Sequence, residues 1–192
     1  MKETGNMVCG SDTKPEGTRI MQSEMFTGSS YNWYAVYTRP RAEKLVHNRL
    51  VELDIESFLP LYKTIRQWSD RKKVIERPLF SSYLFVRVNR KKYHEVCQVE
   101  GVVKFISFEG KAVAIPERQI NNLKILVSGD VAIEITGEKL AKGDIVEVTS
   151  GVLAGLTGEL IRIKRKNKVV IRIDRIDQNL IVDIPVAFLQ KL

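Results

Sequence analysis

The pattern of hydrophobic positions is clearest in the middle of the chain, where residues 82–88 alternate between two sets of side chains. Alternation with a period of two predicts a β-strand, with each set on one face of a sheet. One set is aliphatic and suits a core, whereas the other is aromatic with a terminal charge and suits a partly covered face. The pattern alone favours an ordinary core strand beside a solvated basic turn. The aliphatic set is Leu84, Val86 and Val88, and the second set is Tyr83, Phe85 and Arg87.

Residues 32–127 mix strand and helix patterns, which predicts an α+β domain with an antiparallel sheet flanked by helices. The clearest helix is predicted at 41–53, where apolar residues recur at helical spacing. Its predicted inward stripe consists of Ala42, Leu45, Val46, Leu50 and Leu53. The other predicted elements are strands at 32–38, 82–88 and 102–108, helices at 90–99 and 116–127, and a long hairpin whose tip carries Arg66, Arg71, Lys72 and Lys73.

Residues 142–192 have a different pattern, in which short β-branched segments are joined by turns that contain glycine or Lys-Asn-Lys. Closely spaced strands without helices predict a small all-β barrel of the SH3 type. Residues 128–141 are predicted to be a linker with one short strand at Val131–Ile135. Residues 1–31 are rich in Gly, Ser, Thr and Glu without periodicity, which predicts a disordered leader.

The positive charge of the chain is concentrated in its middle part. The net charge is +8, and residues 33–127 alone carry 18 basic and 10 acidic side chains, which also gives +8. Residues 1–32 contribute −1 (3 basic, 4 acidic) and residues 128–192 contribute +1 (10 basic, 9 acidic). Uneven positive charge indicates nucleic acid, or an assembly that contains it, as a partner.

Groups that could perform catalysis do not converge in this sequence. His94 and Cys97 supply at most two metal ligands, and Gly151, Gly155 and Gly158 lack the Lys-Ser/Thr ending of a phosphate-binding loop. We therefore expect no enzymatic activity, no cofactor and no metal. The two cysteines, the absence of a secretory signal and the absence of a long apolar run predict a cytoplasmic protein that does not contact a membrane. We expect a monomer.

Three stretches resemble motifs of one protein family: Trp33-Tyr-Ala-Val-Tyr-Thr-Arg39, Arg77-Pro-Leu-Phe-Ser-Ser-Tyr-Leu-Phe-Val86, and Lys142-Gly-Asp-Ile-Val-Glu-Val148 with the glycines that follow it. The first two resemble strands of the N-terminal domain of the NusG family of transcription elongation factors. The third resembles the opening of that family's KOW module. The resemblance covers residues 32–192, and within the family the N-terminal stretches look most like specialised RfaH and UpxY-type antiterminators.

The resemblance implies a factor that binds bacterial RNA polymerase at the clamp helices of the β′ subunit and suppresses pausing or termination. Specialised members act on particular operons, such as those for polysaccharide synthesis. The residues that match the polymerase-contact surface are Tyr37, Phe80 and Tyr83, with Trp33 nearby. Large aromatic side chains suit such an interface, although Trp33 is expected to be a core residue.

The resemblance also implies that basic residues face the non-template DNA of the elongation complex, where phosphate contacts provide affinity. RfaH-like proteins contact the β subunit through His-Thr-Thr, and in this sequence only the histidine of that motif has a match, at His94. The KOW module of the family recruits partners such as Rho or a small-subunit ribosomal protein. The candidates for DNA contacts are Arg41, Lys44 and Arg49 on the first helix and Arg71, Lys72 and Lys73 on the hairpin.

A different function remains open at the level of the sequence, because KOW modules also occur in ribosomal proteins. In this alternative the protein is associated with ribosomes and binds RNA through residues 142–192. The near-neutral charge of residues 128–192 favours the transcription factor, since RNA binding depends on phosphate contacts. Residues 142–192 are further predicted to keep a β-structure rather than refold as a helical hairpin, because their strands are rich in Val and Ile.

Overall fold

A computed structural model describes the backbone of residues 30–67, 72–108, 110–129, 131–136, 142–163 and 166–192, and their side chains except at 65, 66, 72, 163, 166, 167 and 174. The chain divides into two compact units. The N-terminal unit comprises the described residues of Met1–Leu61 and Glu76–Pro116, and the C-terminal unit comprises the described residues of Tyr62–Ile75 and Glu117–Leu192. Apart from its last two residues, the predicted leader lies outside the described part of the chain.

The N-terminal unit contains an antiparallel sheet and two helices. Its elements are β1 (Asn32–Thr38), α1 (Glu43–Glu52), β2 (Glu56–Phe58), β5 (Tyr83–Val88), α2 (Tyr93–Gln98), β6 (Val102–Phe105), β7 (Ser107–Phe108), β8 (Lys111–Ala112) and β9 (Ala114–Ile115). The sheet has the strand order β2-β5-β1-β6, and β9 also pairs with β1. A separate two-stranded sheet, formed by β3 (Leu61–Gln67) and β4 (Lys72–Pro78), belongs mostly to the C-terminal unit. This arrangement confirms the predicted α+β class.

One face of the sheet forms the core of the N-terminal unit together with the two helices. The aliphatic set of β5 lies on this face, with Leu84, Val86 and Val88 fully buried, so the prediction for these residues is confirmed. Helix α1 contributes Val46 and Leu50 to the same cluster. The full cluster is Tyr34, Val36, Val46, Leu50, Ile55, Leu59, Leu84, Val86, Val88, Tyr93, Val96, Val99 and Phe105.

Two details of the predicted packing are wrong. Leu45 and Leu53 were expected on the inward stripe of α1, but they are 50% and 48% exposed. Phe85 was expected on a partly covered face, but it is fully buried, with Phe58 stacked against it at a centroid distance of 6.2 Å. Hydrophobic residues at helical spacing span a wide arc, so the sequence alone leaves the exact buried stripe open.

The C-terminal unit is built on a six-stranded antiparallel sheet. Its strands are β10 (Ile133–Thr136), β11 (Asp144–Val148), β12 (Thr157–Ile163), β13 (Lys166–Ile173), β14 (Gln178–Val182) and β15 (Leu189–Lys191), and the helix before them is α3 (Glu117–Ser128). The strand order is β10-β14-β13-β12-β11-β15. The predicted β-structure of residues 142–192 is therefore confirmed, and their described part contains strands and two short 3-10 helices.

Helix α3 belongs to the same compact unit as the six-stranded sheet, whereas the sequence grouped it with residues 32–127. The amide of Asn122 connects the two elements: its Nδ2 donates to the carbonyl oxygen of Thr157 at 2.7 Å, and its Oδ1 accepts from the Thr157 N–H at 3.2 Å. Asn122 is buried, so both halves of its amide are satisfied by the strand it faces.

The segment predicted as a linker over residues 128–141 takes part in the sheet. Its strand β10 pairs with β14 over Ile133–Thr136, slightly later than the predicted Val131–Ile135. In the part of the chain that the structure describes, no helix is long and apolar enough to cross a membrane.

Candidate functional site

The most distinctive surface feature of the N-terminal unit is a cluster of Tyr37, Tyr83 and Lys104, which lie side by side on β1, β5 and β6. Tyr37 is the direct cross-strand partner of both Tyr83 and Lys104. The two tyrosine rings meet edge to face, with centroids 5.3 Å apart and an interplanar angle of 68°. The Nζ atom of Lys104 lies 5.8 Å from the centroid of the Tyr37 ring, within the range of a cation–π contact.

Both tyrosines are half-buried. Burial raises the pKa of the Tyr83 hydroxyl above 10.0, and the neighbouring Tyr37 hydroxyl raises it further. Tyr83 therefore keeps its proton at neutral pH and can donate a hydrogen bond as well as offer ring area. A rigid aromatic pair beside a cation suits a binding surface for a protein or a stacked base, since aromatic rings present a large area at low entropy cost.

Phe80 and Trp33 differ from the two tyrosines in being buried, each with 3% exposure. The Phe80 ring packs edge-on against Phe85 at a centroid distance of 6.1 Å. For Trp33, this burial agrees with the expectation that it is a core residue. For Phe80, burial leaves almost no side-chain surface for a partner to touch, and its contact with polymerase stays a prediction.

A buried carboxylate fixes the turn that leads into Tyr83. Glu43, in the first turn of α1, accepts a hydrogen bond from the backbone N–H of Ser82 through Oε1 at 2.7 Å. Ser82 has a positive φ of 65°, which is uncommon for a residue other than glycine, and its carbonyl oxygen accepts from the Thr38 N–H at 2.8 Å. Together these bonds fix the position from which β5 begins, and therefore where Tyr83 lies.

The three basic residues predicted on the first helix have different surroundings. Arg41 is exposed in the turn before α1 and has a φ of 65°. Lys44 is exposed, and its Nζ lies 3.9 Å from a carboxylate oxygen of Glu76. Arg49 is held by Glu100, with 2.8 Å from Nη2 to Oε2 and 2.9 Å from Nη1 to the carbonyl oxygen. Arg49 is therefore less available to DNA than Arg41 or Lys44.

The basic residues predicted on the hairpin are only partly described. Lys73 is exposed on β4, whereas Lys72 is described by its backbone alone. Arg71 lies outside the described residues, so the predicted cluster at the hairpin tip stays a prediction. His94, which matches the histidine of the predicted β-subunit contact motif, is exposed on α2, with its ring 5.3 Å from that of Tyr93.

Sequence reasoning missed two residues of this site, Lys104 and Glu43. Lys104 lies 67 positions after Tyr37 in the sequence, and only the pairing of β1 with β6 brings them together. Glu43 follows the general preference for acidic residues in the first turn of a helix. Nothing in the sequence around it indicates that it is buried against a distant turn. Within the described ranges, no group of three or more His, Cys, Asp and Glu side chains could hold a metal ion.

Comparison with protein families matches residues 31–124 to the family model described as "NusG: Transcription termination factor nusG". Curated relatives named transcription termination/antitermination protein NusG include the protein of Rickettsia felis, 25% identical over 154 residues that cover 73% of this chain and 80% of the relative. The Rickettsia bellii protein is 26% identical over 138 residues, which cover 66% of this chain and 71% of the relative.

Two solved structures are also similar. A structure of the domain interaction in Thermotoga maritima NusG aligns with 24% identity and a TM-score of 0.46, and covers 86% of this chain and 99% of that chain. An MjSpt4:Spt5 complex in conformation B aligns with 19% identity and a TM-score of 0.29, and covers 83% of this chain and 96% of that chain.

Proposed function

Since this chain belongs to the NusG family of transcription termination and antitermination factors, we propose that it binds bacterial RNA polymerase at the β′ clamp helices and suppresses pausing or termination. The observation that supports this proposal best is the Tyr37–Tyr83–Lys104 cluster. It lies in the segment that matches the family model, and it combines half-exposed aromatic rings with a cation.

The cluster has the physical properties of an interface centre. Its three residues stand on adjacent strands of one sheet, so their backbone positions are fixed before binding and little entropy is lost. The Tyr83 hydroxyl and the Lys104 ammonium are donors that suit carbonyl or carboxylate groups on a helix surface. Phe80 and Trp33 act beneath the surface in this proposal, where they support the strands that carry the tyrosines.

Nucleic acid is the second proposed partner. Arg41, Lys44 and Lys73 are exposed and carry charges that can contact the phosphates of the non-template strand. Arg49 contributes less, because its guanidinium is already paired with Glu100. Arg71 and Lys72 complete the proposed set on the basis of their positions in the sequence.

We further propose that the protein is a specialised member of the family that acts in the cytoplasm, as a monomer, on particular operons such as polysaccharide-synthesis loci. The C-terminal sheet would act as its KOW module and recruit Rho or a small-subunit ribosomal protein. RNA binding by this sheet has less support, because three of its basic side chains are already paired: Lys168 with Asp183, Arg172 with Glu159 and Lys191 with Asp144.

Affinity purification from the native host tests the proposal. We expect RNA polymerase subunits to co-elute with the tagged wild-type protein and to be lost from the Tyr37→Ala/Tyr83→Ala variant. Tyr31→Ala is the matched control, since Tyr31 is an exposed aromatic residue outside the cluster. Co-elution of ribosomal RNA and proteins without polymerase would instead support the ribosome-associated alternative.

A further inference from the structure

Strand β10 covers an edge of the C-terminal sheet. It pairs with β14 through four residue pairs, from Ile133 opposite Val182 to Thr136 opposite Asn179. On its other side, β14 pairs with β13. Strand β14 is therefore an internal strand only because β10 is present, and without β10 it would be the last strand of the sheet.

The sequence of β14 does not suit an exposed edge. Leu180, Ile181 and Val182 are 0%, 4% and 1% exposed, so the strand is buried on both faces. The segment Gln178–Val182 contains no charged residue and no proline, although natural edge strands usually carry one of these to prevent pairing with other chains. Strand β14 thus has the composition of a strand that needs a partner on each side.

Strand β10 is much less buried than β14 and is suited to separate from the sheet. None of its four residues is buried: Glu134 is exposed, and Ile133, Ile135 and Thr136 are half-buried. Little apolar surface would be uncovered on its own side if it separated from β14. It precedes the rest of the sheet in the chain, separated from β11 by residues 137–143, so its departure would not interrupt the order of the other five strands.

We propose that β10 is a removable cover strand, and that the edge of β14 beneath it is a docking site for an extended segment of another protein. This inference concerns the C-terminal unit and does not rest on polymerase binding by the N-terminal unit. Addition of a strand to a sheet edge is a common mode of peptide recognition, in which backbone hydrogen bonds provide affinity and alternate side chains provide specificity.

The present occupant shows which chemistry the edge accepts. A docking segment would run antiparallel to β14, with β-branched apolar side chains at every second position, as Ile133 opposite Val182 and Ile135 opposite Leu180 do now. Because β10 is tethered, it competes at a high effective concentration. A partner segment that forms more backbone pairs with β14 than the four described for β10 would have an advantage over β10.

The test uses the full chain with substitutions that prevent the cover strand β10 from pairing with β14. Successive backbone N–H groups of a strand point to opposite sides, so Glu134→Pro/Ile135→Pro removes at least one donor that faces β14. The control variant is Val131→Pro/Ala132→Pro, which places the same two prolines just before the ladder begins. The probe is a fluorescent peptide with the sequence of residues 131–137, and its binding is followed by anisotropy.

We expect the cover-disabled variant to bind the peptide about tenfold or more tightly than the wild type and the control, both of which keep the tethered strand. Hydrogen exchange at the β14 amides should accelerate in this variant and slow again when the peptide is added. If the double-proline variant lacks the native circular dichroism spectrum, Ile133→Ala/Ile135→Ala, which keeps every backbone donor, takes its place.

Two results would overturn the proposal. The first is equal binding, or no binding, of the peptide by a folded cover-disabled variant and the wild type. The second is unchanged exchange at the β14 amides in the variant, which would mean that β10 does not cover this edge. A peptide with serine in place of both isoleucines should not bind, and if it bound equally well, the proposed side-chain specificity would be refuted.

Discussion

The carboxylate of Glu43 accepts a hydrogen bond from the backbone N–H of Ser82 at 2.7 Å, across 39 positions of sequence. Both residues are buried. This bond joins the first turn of helix α1 to the turn that precedes β5, and β5 begins with Tyr83. The buried side chain of Glu43 thereby determines the position of the aromatic pair of the proposed polymerase interface.

Glu43→Ala should therefore weaken both stability and polymerase binding. It leaves the Ser82 N–H buried without its acceptor, which should lower the free energy of unfolding by about 1.5–3 kcal/mol in urea denaturation. Glu43→Gln keeps an acceptor oxygen and is the matched control, with a smaller loss. If Glu43→Ala matched the wild type in both stability and binding, the turn would be fixed by other contacts.

Phe80→Ala should act through the fold rather than at the surface. The ring is 3% exposed and packs on Phe85, so its removal leaves a cavity and should lower the free energy of unfolding by about 3–5 kcal/mol. Phe108→Ala is the control, because Phe108 is 55% exposed and should change the free energy by less than about 0.5 kcal/mol. A stable Phe80→Ala variant that fails to bind polymerase would restore Phe80 as a direct contact.

The N-terminal unit should lose stability in mild acid because of His47. Its Nδ1 lies 2.8 Å from Ser57 Oγ, and burial lowers the pKa of the imidazole below 6.5. The unfolded chain then binds a proton more readily than the folded one, so stability is complete above pH 6.5 and falls as the pH drops towards the folded pKa. Thermal melts between pH 7.5 and 5 measure this loss.

The variant His47→Gln should show a smaller loss over that pH range, whereas His94→Gln should behave like the wild type. His94 is the other histidine of the chain and is exposed. Equal pH profiles for the wild type and His47→Gln would show that another group causes the acid sensitivity.

The C-terminal sheet should lose stability at lower pH through Glu159. Burial alone would raise the pKa of its carboxyl, but hydrogen bonds from Arg172 and the Gly143 N–H and the charges of Arg172 and Lys142 outweigh burial and lower it below 4.5. The stabilisation is therefore present above pH 4.5 and is lost as the pH falls through the folded pKa.

Glu159→Gln should lower the free energy of unfolding by about 2 kcal/mol at pH 7, and the difference from the wild type should shrink as the pH falls below 4.5. Asp183→Asn breaks a pair whose carboxylate is 70% exposed and should cost less than about 1 kcal/mol. A Glu159→Gln variant as stable as the wild type at pH 7 would mean that the ion pair only offsets its own desolvation.

Much of the fold follows from local patterns. The period-two alternation of residues 82–88 predicted both the strand and the aliphatic face that the structure buries. The β-branched segments after residue 142 predicted an all-β region, since such residues fit a pleated surface. The helix at Glu43–Glu52 followed from its spacing, although the buried stripe was wrong at Leu45 and Leu53.

The parts that were not predicted depend on contacts between distant residues. The approach of Lys104 to Tyr37 requires the pairing of β1 with β6, and the burial of Glu43 requires a turn that lies after the hairpin. A short strand was predicted at Val131–Ile135 within a linker, but its pairing with β14, which makes β10 part of the sheet, was not predicted. Local propensity does not contain this information.

Tyr37 and Tyr83 form the proposed polymerase-contact surface. The most direct measurement is the dissociation constant of purified bacterial RNA polymerase for the wild type, Tyr37→Ala/Tyr83→Ala and Tyr31→Ala, with circular dichroism to confirm that each is folded. We expect the double variant to bind at least about tenfold more weakly, a loss of ~1.4 kcal/mol or more, and Tyr31→Ala to bind like the wild type. A folded double variant with a dissociation constant within about twofold of the wild type, a difference of less than ~0.4 kcal/mol in binding free energy, would contradict the proposal that Tyr37 and Tyr83 contact polymerase.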